Sequence, residues 1–137
     1  MSQLKDYITK NVETVDVREN LQALAKKMAK QNVGFLPVLE NGNYVGVITD
    51  RDIVVNGVAK NLDTAEEIMT KNVITGNSDM EVDQVIELLQ KHQIYRLLIV
   101  DDNKITGVVT LGDLGKENAD QCISKVVSSI SEANDNN

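Results

Sequence analysis

The chain has 137 residues and a formal net charge of −7, with hydrophobic residues at 42% and charged residues at 26%. This length and composition fit one soluble globular domain, or two small units that share a core. The acidic balance disfavours nucleic-acid binding, which depends on basic patches. The single Cys122 and the single His92 argue against a disulfide framework, a multi-cysteine metal cluster and a His-rich zinc site, so we expect no metal.

No stretch of the sequence approaches the ~20 apolar residues that a membrane span needs. The first ten residues also lack the apolar core of a signal peptide. We therefore expect a cytoplasmic protein with no membrane partner.

The chain contains an internal repeat. The tetrapeptide TKNV occupies positions 9–12 and recurs at 70–73, 61 positions later. The same offset aligns residues 8–53 with residues 69–114 without a gap, which indicates duplication of one unit. We assign residues 1–60 to the first domain and residues 61–120 to the second.

The first repeat begins with a short apolar segment at residues 12–15. An amphipathic helix follows, because Leu21, Leu24, Ala25 and Met28 recur at helical spacing. Two strands are predicted at residues 35–39 and 44–49. The Asn41-Gly42 pair between them is a strong hairpin signal, since both residues tolerate positive φ. A second helix is predicted to begin near Asp50.

The second repeat has the same order of elements. Its apolar segment covers residues 73–75, and Val82, Val85, Ile86 and Leu89 place a helix that Ser78 or Asp79 can cap. Strands are predicted at residues 95–100 and 104–110, with another helix beginning near Gly112. Residues 119–130 are predicted to form a C-terminal helix, and the polar residues 131–137 a disordered tail.

Each unit therefore reads strand–helix–strand–strand–helix. The strands are apolar on nearly both faces, which suits sheets covered by helices. We expect an α/β (α+β) fold in which two pseudo-symmetric units pack against each other into one pair, because neither is large enough to bury its sheet alone.

Each repeat ends in the pattern G-h-h-T-x-x-D, where h is apolar: GVITDRD at 46–52 and GVVTLGD at 107–113. Together with the two TKNV segments and VGFLPV at 33–38, this resembles a tandem pair of CBS domains, named after cystathionine β-synthase. The resemblance covers nearly everything except the C-terminal segment and leaves no room for a catalytic domain. It implies a regulatory sensor of an adenosine-containing ligand (AMP, ADP, ATP, S-adenosylmethionine or NAD), often assembled as a homodimer.

The Thr-x-x-Asp pairs have a physical reading of their own. The hydroxyl and free N–H groups at a helix N-terminus can cradle an anion, and a carboxylate one turn later can accept two hydrogen bonds from a ribose diol. The resemblance assigns phosphate contact to Thr49 and Thr110, and ribose contact to Asp52 and Asp113. The alternative is a capping box, which needs no ligand.

The two repeats differ beside these motifs. Arg51 lies inside the first motif, while Tyr95 and Arg96 stand at the start of the second repeat's strand. Either guanidinium can bind phosphate oxygens, or it can be solvated or form a salt bridge. The second repeat also departs from the family pattern, with Leu98 at the position of Pro37 and Leu111 at that of Asp50. We therefore expect one competent site and one weaker or empty site.

An adenine ring needs an apolar slot with backbone hydrogen bonds. The opening segments can supply these backbone hydrogen bonds. The walls of the slot can come from a residue just before each central strand. The alternative is that these residues belong to the core, which is more often the case for residues of this kind. The candidates are Val12 and Thr14 in one unit, Val73 and Thr75 in the other, with Val33 and Ile94 as walls.

The sequence contains no visible nucleophile–base constellation, so we expect no enzyme. The leading hypothesis is a nucleotide-binding regulatory module that requires no cofactor and acts on an unidentified protein. The alternative is a ligand-free dimerisation or protein-interaction module. Ile53, Val54, Val55 and Val58 on the second helix are equally plausible as dimer interface or as core.

Overall fold

The computed structural model describes residues 3–115, which form two compact units. The first-repeat unit is Glu13–Val73. The second-repeat unit combines the chain before Glu13 with the chain after Val73. The predicted C-terminal helix, the predicted tail and Cys122 lie outside the described residues.

The first-repeat unit is built on a three-stranded sheet of order β1-β2-β3, in which β1 is parallel to β2 and β3 is antiparallel to it. In chain order its elements are β1 (Val15–Asp16), α1 (Leu21–Gln31), β2 (Phe35–Glu40), β3 (Asn43–Thr49), α2 (Asp50–Asp52), a π-helix (Ile53–Val58) and α3 (Ala65–Ile68).

The second-repeat unit repeats this plan with the sheet order β4-β5-β6 and the same strand directions. Its elements are a 3₁₀ helix (Leu4–Tyr7), β4 (Thr75–Gly76), α4 (Val82–His92), β5 (Arg96–Asp101), β6 (Lys104–Thr110) and α5 (Leu111–Leu114). The predicted mixed α/β class and the order of elements are confirmed.

Three details of the prediction were wrong. The opening strands begin later than expected, at Val15 and at Thr75, and each has only two residues. Neither Ser78 nor Asp79 caps α4; the N-cap is Glu81, whose backbone N–H donates to the Gln84 side chain (2.8 Å). The Asp79 amide instead donates to Asn77 Oδ1, which forms a local turn before the helix.

Both hairpins close with two residues of positive φ. Asn41 and Gly42 have φ values of 52° and 81°, and Asp102 and Asn103 have 51° and 63°. This confirms the predicted Asn-Gly hairpin. Each hairpin also contains a β-bulge next to the turn, where the register shifts after Val38 and after Ile99.

Each unit contains its own apolar core. In the first-repeat unit, α1 and α3 cover the sheet with buried residues such as Leu24 and Ile68, both at 0% exposure. In the second-repeat unit, α4 and the 3₁₀ helix do the same with Leu89 and Leu4. Burial of this kind stabilises each sheet by about 25 cal/mol per Å² of apolar surface removed from water.

The threonine that begins each TKNV tetrapeptide pairs with the edge strand of its unit's sheet. Thr70 exchanges backbone hydrogen bonds with Val47, and Thr9 does so with Val108. A Cβ at Gly46 would lie 2.9 Å from the Thr70 carbonyl oxygen, so glycine is needed there for close approach of another backbone. The motif glycine thus serves packing between chain segments.

Candidate functional site

Thr49 and Asp52 form a capping box at the junction of β3 and α2. The Asp52 amide donates to Thr49 Oγ1 (3.2 Å), and the Thr49 amide donates to Asp52 Oδ2 (2.9 Å). The Thr49 hydroxyl also lies 3.1 Å from the same carboxylate oxygen. The capping arrangement considered as an alternative for this motif is therefore present.

The Asp52 carboxylate has two further partners. The Thr70 hydroxyl donates to it at 3.2 Å from Oδ1 and 3.4 Å from Oδ2. Asn56, in the π-helix, reaches Asp52 Oδ1 (3.5 Å) and the Ile68 carbonyl (3.4 Å) with its amide nitrogen. Both carboxylate oxygens of Asp52 are therefore engaged by neighbours of the same unit. Sequence reasoning missed Thr70 and Asn56, although Thr70 belongs to the repeated TKNV tetrapeptide.

Thr110 and Asp113 form the corresponding capping box with fewer partners. The Asp113 amide donates to Thr110 Oγ1 (3.1 Å), and the Thr110 amide donates to Asp113 Oδ2 (3.3 Å). Among the described residues no donor reaches Asp113 Oδ1. Within the described part of the chain, this half-buried carboxylate therefore has one oxygen without a donor, whereas both oxygens of Asp52 have donors.

The arginines also differ between the units. Arg96 is the cross-strand partner of Thr110 in the β5–β6 pair, and the carbonyl of its neighbour Tyr95 accepts the Leu111 amide (2.8 Å). Four predicted residues, Tyr95, Arg96, Thr110 and Asp113, therefore lie together. In the other unit Phe35 takes the place of Arg96 opposite Thr49. Arg51 is exposed, and its guanidinium makes no ion pair within the described part of its unit.

The remaining predicted site residues divide between the units. Thr14, Val33 and Val73 belong to the first-repeat unit, and Val12, Thr75 and Ile94 to the second, so each opening segment is split. The Thr14 carbonyl accepts from Lys27 Nζ (2.7 Å). Ile94 packs against the core, whereas Val33 is 36% exposed. Within the described part of each unit, no hydrogen bond joins these six residues to a Thr–Asp pair.

The described residues contain no group of three or more His, Cys, Asp or Glu side chains that could hold a metal ion. Within the same part of the chain, no helix is long and apolar enough to cross a membrane. His92 ends α4, as the sequence predicts.

Comparison with known proteins identifies the repeat. The family model described as "CBS domain" matches twice, at residues 4–57 and 65–119. A CBS domain-containing protein of Bacillus subtilis, YhcV, is 40% identical over 117 residues, which cover 83% of this chain and 84% of that protein.

Two solved structures share the fold. The CBS domain pair of protein MJ0100, in complex with 5′-methylthioadenosine and S-adenosyl-L-methionine, is 36% identical with a TM-score of 0.71, over 85% of this chain and 94% of that one. Hypoxic Response Protein I, which holds two coordinated zinc ions, is 27% identical with a TM-score of 0.75, over 85% of this chain and 98% of that one.

Proposed function

The chain belongs to the CBS domain family, and from that premise we propose that it is a regulatory module that binds an adenosine-containing ligand and carries no catalysis of its own. The similar pair of protein MJ0100 binds 5′-methylthioadenosine and S-adenosyl-L-methionine, which supports this ligand class. Two Thr–Asp pairs at equivalent strand ends give the chain the polar groups that such a ligand needs.

The observation that carries the proposal is that no described residue donates to Asp113 Oδ1, in the motif whose Thr110 is the cross-strand partner of Arg96. A vicinal diol can donate to such a carboxylate oxygen, and a guanidinium can bind the phosphate or carboxylate of the same ligand. We therefore assign the stronger site to the second-repeat unit. Its members are Thr110, Asp113, Arg96 and Tyr95, with Val12, Thr75 and Ile94 as candidate walls.

The first-repeat unit is the weaker site in this proposal. A ribose there must displace the Thr70 hydroxyl from Asp52 before it can donate to the same oxygens. The exchange of one hydrogen bond for another yields little net binding energy. Its members are Thr49, Arg51 and Asp52, with Thr14, Val33 and Val73 as candidate walls.

Isothermal titration of the full chain against AMP, ADP, ATP, S-adenosylmethionine and NAD tests the proposal. We expect saturable binding of at least one, strongly weakened by Asp113→Ala and much less by Asp52→Ala. If the folded protein, freed of co-purified ligand, binds none of them, the sensor proposal is refuted. If Asp52→Ala alone abolishes binding, the assignment of the stronger site is wrong.

One observation favours the second candidate function, a dimerisation or protein-interaction module. Val54, Val55 and Val58 are 60%, 39% and 66% exposed, while Ile53 packs against the core. We propose that these three valines form a homodimer surface, because exposed apolar clusters mark association sites. Sedimentation velocity of wild type and Val58→Glu tests this: a dimer that the charge dissociates is expected, and a monomeric wild type contradicts it.

A further inference from the structure

The first-repeat unit contains a cleft of about 280 Å³ that no motif predicted. It opens where α3 and the residues after it cross the hairpin end of the sheet. Thr49, at the other end of β3, does not line it. The cleft is lined by Val17, Glu40, Val45, Glu66, Met69 and Lys71. It is therefore separate from the proposed nucleotide site.

The charged lining residues are exposed to solvent. Glu40, Glu66 and Lys71 are exposed at the cleft, and their side chains make no hydrogen bond or ion pair with any described residue. Val17, Val45 and Met69 belong to or pack against the apolar core and supply an apolar floor. The cleft thus combines two carboxylates, one ammonium group and an apolar surface within one small volume.

The β-bulge of β3 creates this opening. Val45 is the extra residue of the bulge, since Tyr44 pairs with Leu39 and Gly46 with Val38. Bulges turn a side chain away from the regular alternation of the strand, often beside functional sites. Here the bulge presents an apolar residue to the cleft.

The other repeat has the same bulge, but the carboxylate at the equivalent place is hydrogen-bonded within the unit. Thr106, Asp101 and Ser78 stand at the positions of Val45, Glu40 and Val17. The Thr106 hydroxyl and the Ser78 amide (3.1 Å) both donate to Asp101. The Thr106 hydrogen bond, followed by that from Ser78, lowers the pKa of Asp101. The carboxylate is hydrogen-bonded within the unit in this copy, whereas Glu40 in the first is exposed to solvent.

We propose that the cleft binds a small zwitterion with an apolar body, namely a free α-amino acid with an apolar side chain. Glu40 and Glu66 accept hydrogen bonds from its ammonium group, Lys71 donates to its carboxylate, and the side chain lies on Val45 and Met69. The volume lies just below the roughly 300–1,000 Å³ of drug-sized pockets, which suits a single metabolite of this size.

The test is a two-dimensional NMR titration of the ¹⁵N-labelled full chain. The probes are L-leucine and L-methionine, with 4-methylpentanoate and 3-methylbutylamine as analogues of leucine that lack the amine or the carboxylate. We expect saturable shifts of the Val17, Val45 and Met69 amides with an amino acid, and binding at least tenfold weaker for both analogues, because each loses its charged hydrogen bonds.

Equivalent positions of the two repeats provide matched control variants. Lys71→Gln is expected to weaken binding about tenfold, while Lys10→Gln, at the equivalent position of the other repeat, leaves it unchanged. Val45→Thr, which introduces the residue found at Thr106, is expected to close the cleft and abolish binding, while Thr106→Val has no effect on it.

Three results would overturn the proposal. They are the absence of saturation with both amino acids, equal binding of the amine alone, and wild-type affinity in Lys71→Gln. The proposal does not depend on the nucleotide site, because none of the proposed nucleotide-site residues lines the cleft. Asp113→Ala is therefore expected to leave the amino-acid titration unchanged.

Discussion

Asp52→Ala is predicted to destabilise the protein more than Asp113→Ala, although both remove the aspartate of the same motif. Asp52 accepts hydrogen bonds from the Thr49 amide (2.9 Å), the Thr49 hydroxyl (3.1 Å) and the Thr70 hydroxyl (3.2 Å), and a longer one from Asn56 (3.5 Å). Asp113 accepts only one from the described residues, at 3.3 Å. The substitution therefore removes four contacts in one unit and one in the other.

The magnitude follows from these contacts. Hydrogen bonds to a charged group contribute about 1.5–3 kcal/mol, and partial exposure reduces each here to roughly 1 kcal/mol. With the long Asn56 contact and the contact from the Thr49 hydroxyl, which water can replace, each counted at about half, Asp52→Ala costs about 3 kcal/mol and Asp113→Ala about 1 kcal/mol. Thr70→Val, which removes one donor only, is expected to cost about 1 kcal/mol.

Urea denaturation at neutral pH measures these differences. For an m value of about 1–3 kcal/mol/M, the midpoints of the two alanine variants are expected to differ by roughly 0.5–2 M. Equal midpoints would refute the reasoning, since they would mean that Thr70 and Asn56 contribute nothing to holding Asp52. An unchanged midpoint in Thr70→Val would locate that failure in the Thr70 contact.

Three further variants test the packing and the hairpin end. Leu89→Ala in α4, where the side chain is fully buried, is expected to cost about 2–5 kcal/mol in urea denaturation. Gly46→Ala places a Cβ 2.9 Å from the Thr70 carbonyl and is expected to cost about 1–3 kcal/mol, while Gly112→Ala, with its nearest atom at 3.8 Å, serves as the control. Thr106→Val is expected to raise the pKa of Asp101 towards its usual value in a carboxyl NMR titration. Because that pKa is lowered in the folded protein, the associated stability is present above the unfolded-state pKa and is lost as the pH falls through the folded-state pKa.

The sequence predicts most of the fold because its signals are local. Helical spacing of Leu21, Leu24 and Met28 places α1, and the Asn41-Gly42 pair specifies a turn through its own backbone preference. The two-residue strands β1 and β4 are harder to place, since each exists only through parallel pairing with a strand more than twenty residues later. Periodicity cannot locate a strand of two residues.

The candidate site is less predictable for a related reason. The Thr49–Asp52 pattern is compatible with a cap and with a ribose acceptor, because both use the same carboxylate oxygens. Thr70, which lies 18 residues from Asp52 in the sequence, distinguishes the two interpretations. The Thr70 hydroxyl reaches the Asp52 carboxylate only after the chain has folded. The repeat aligns Thr70 with Thr9, yet for the latter no hydrogen bond to Asp113 is present among the described residues.

The two repeats differ in which end of the unit has its carboxylate hydrogen-bonded internally. At the motif end, the carboxylate of Asp52 is engaged internally, whereas one oxygen of Asp113 has no donor among the described residues. At the hairpin end, Asp101 is engaged by Thr106, while Glu40 has no partner in the described part of the chain and lies beside an open cleft. A fully satisfied carboxylate gains little from a ligand, whereas an unpaired one gains a partner. After duplication, these few changes leave each unit with one end available for the binding that we propose, and the ends differ: the proposed nucleotide site lies in the second-repeat unit and the proposed amino-acid cleft in the first.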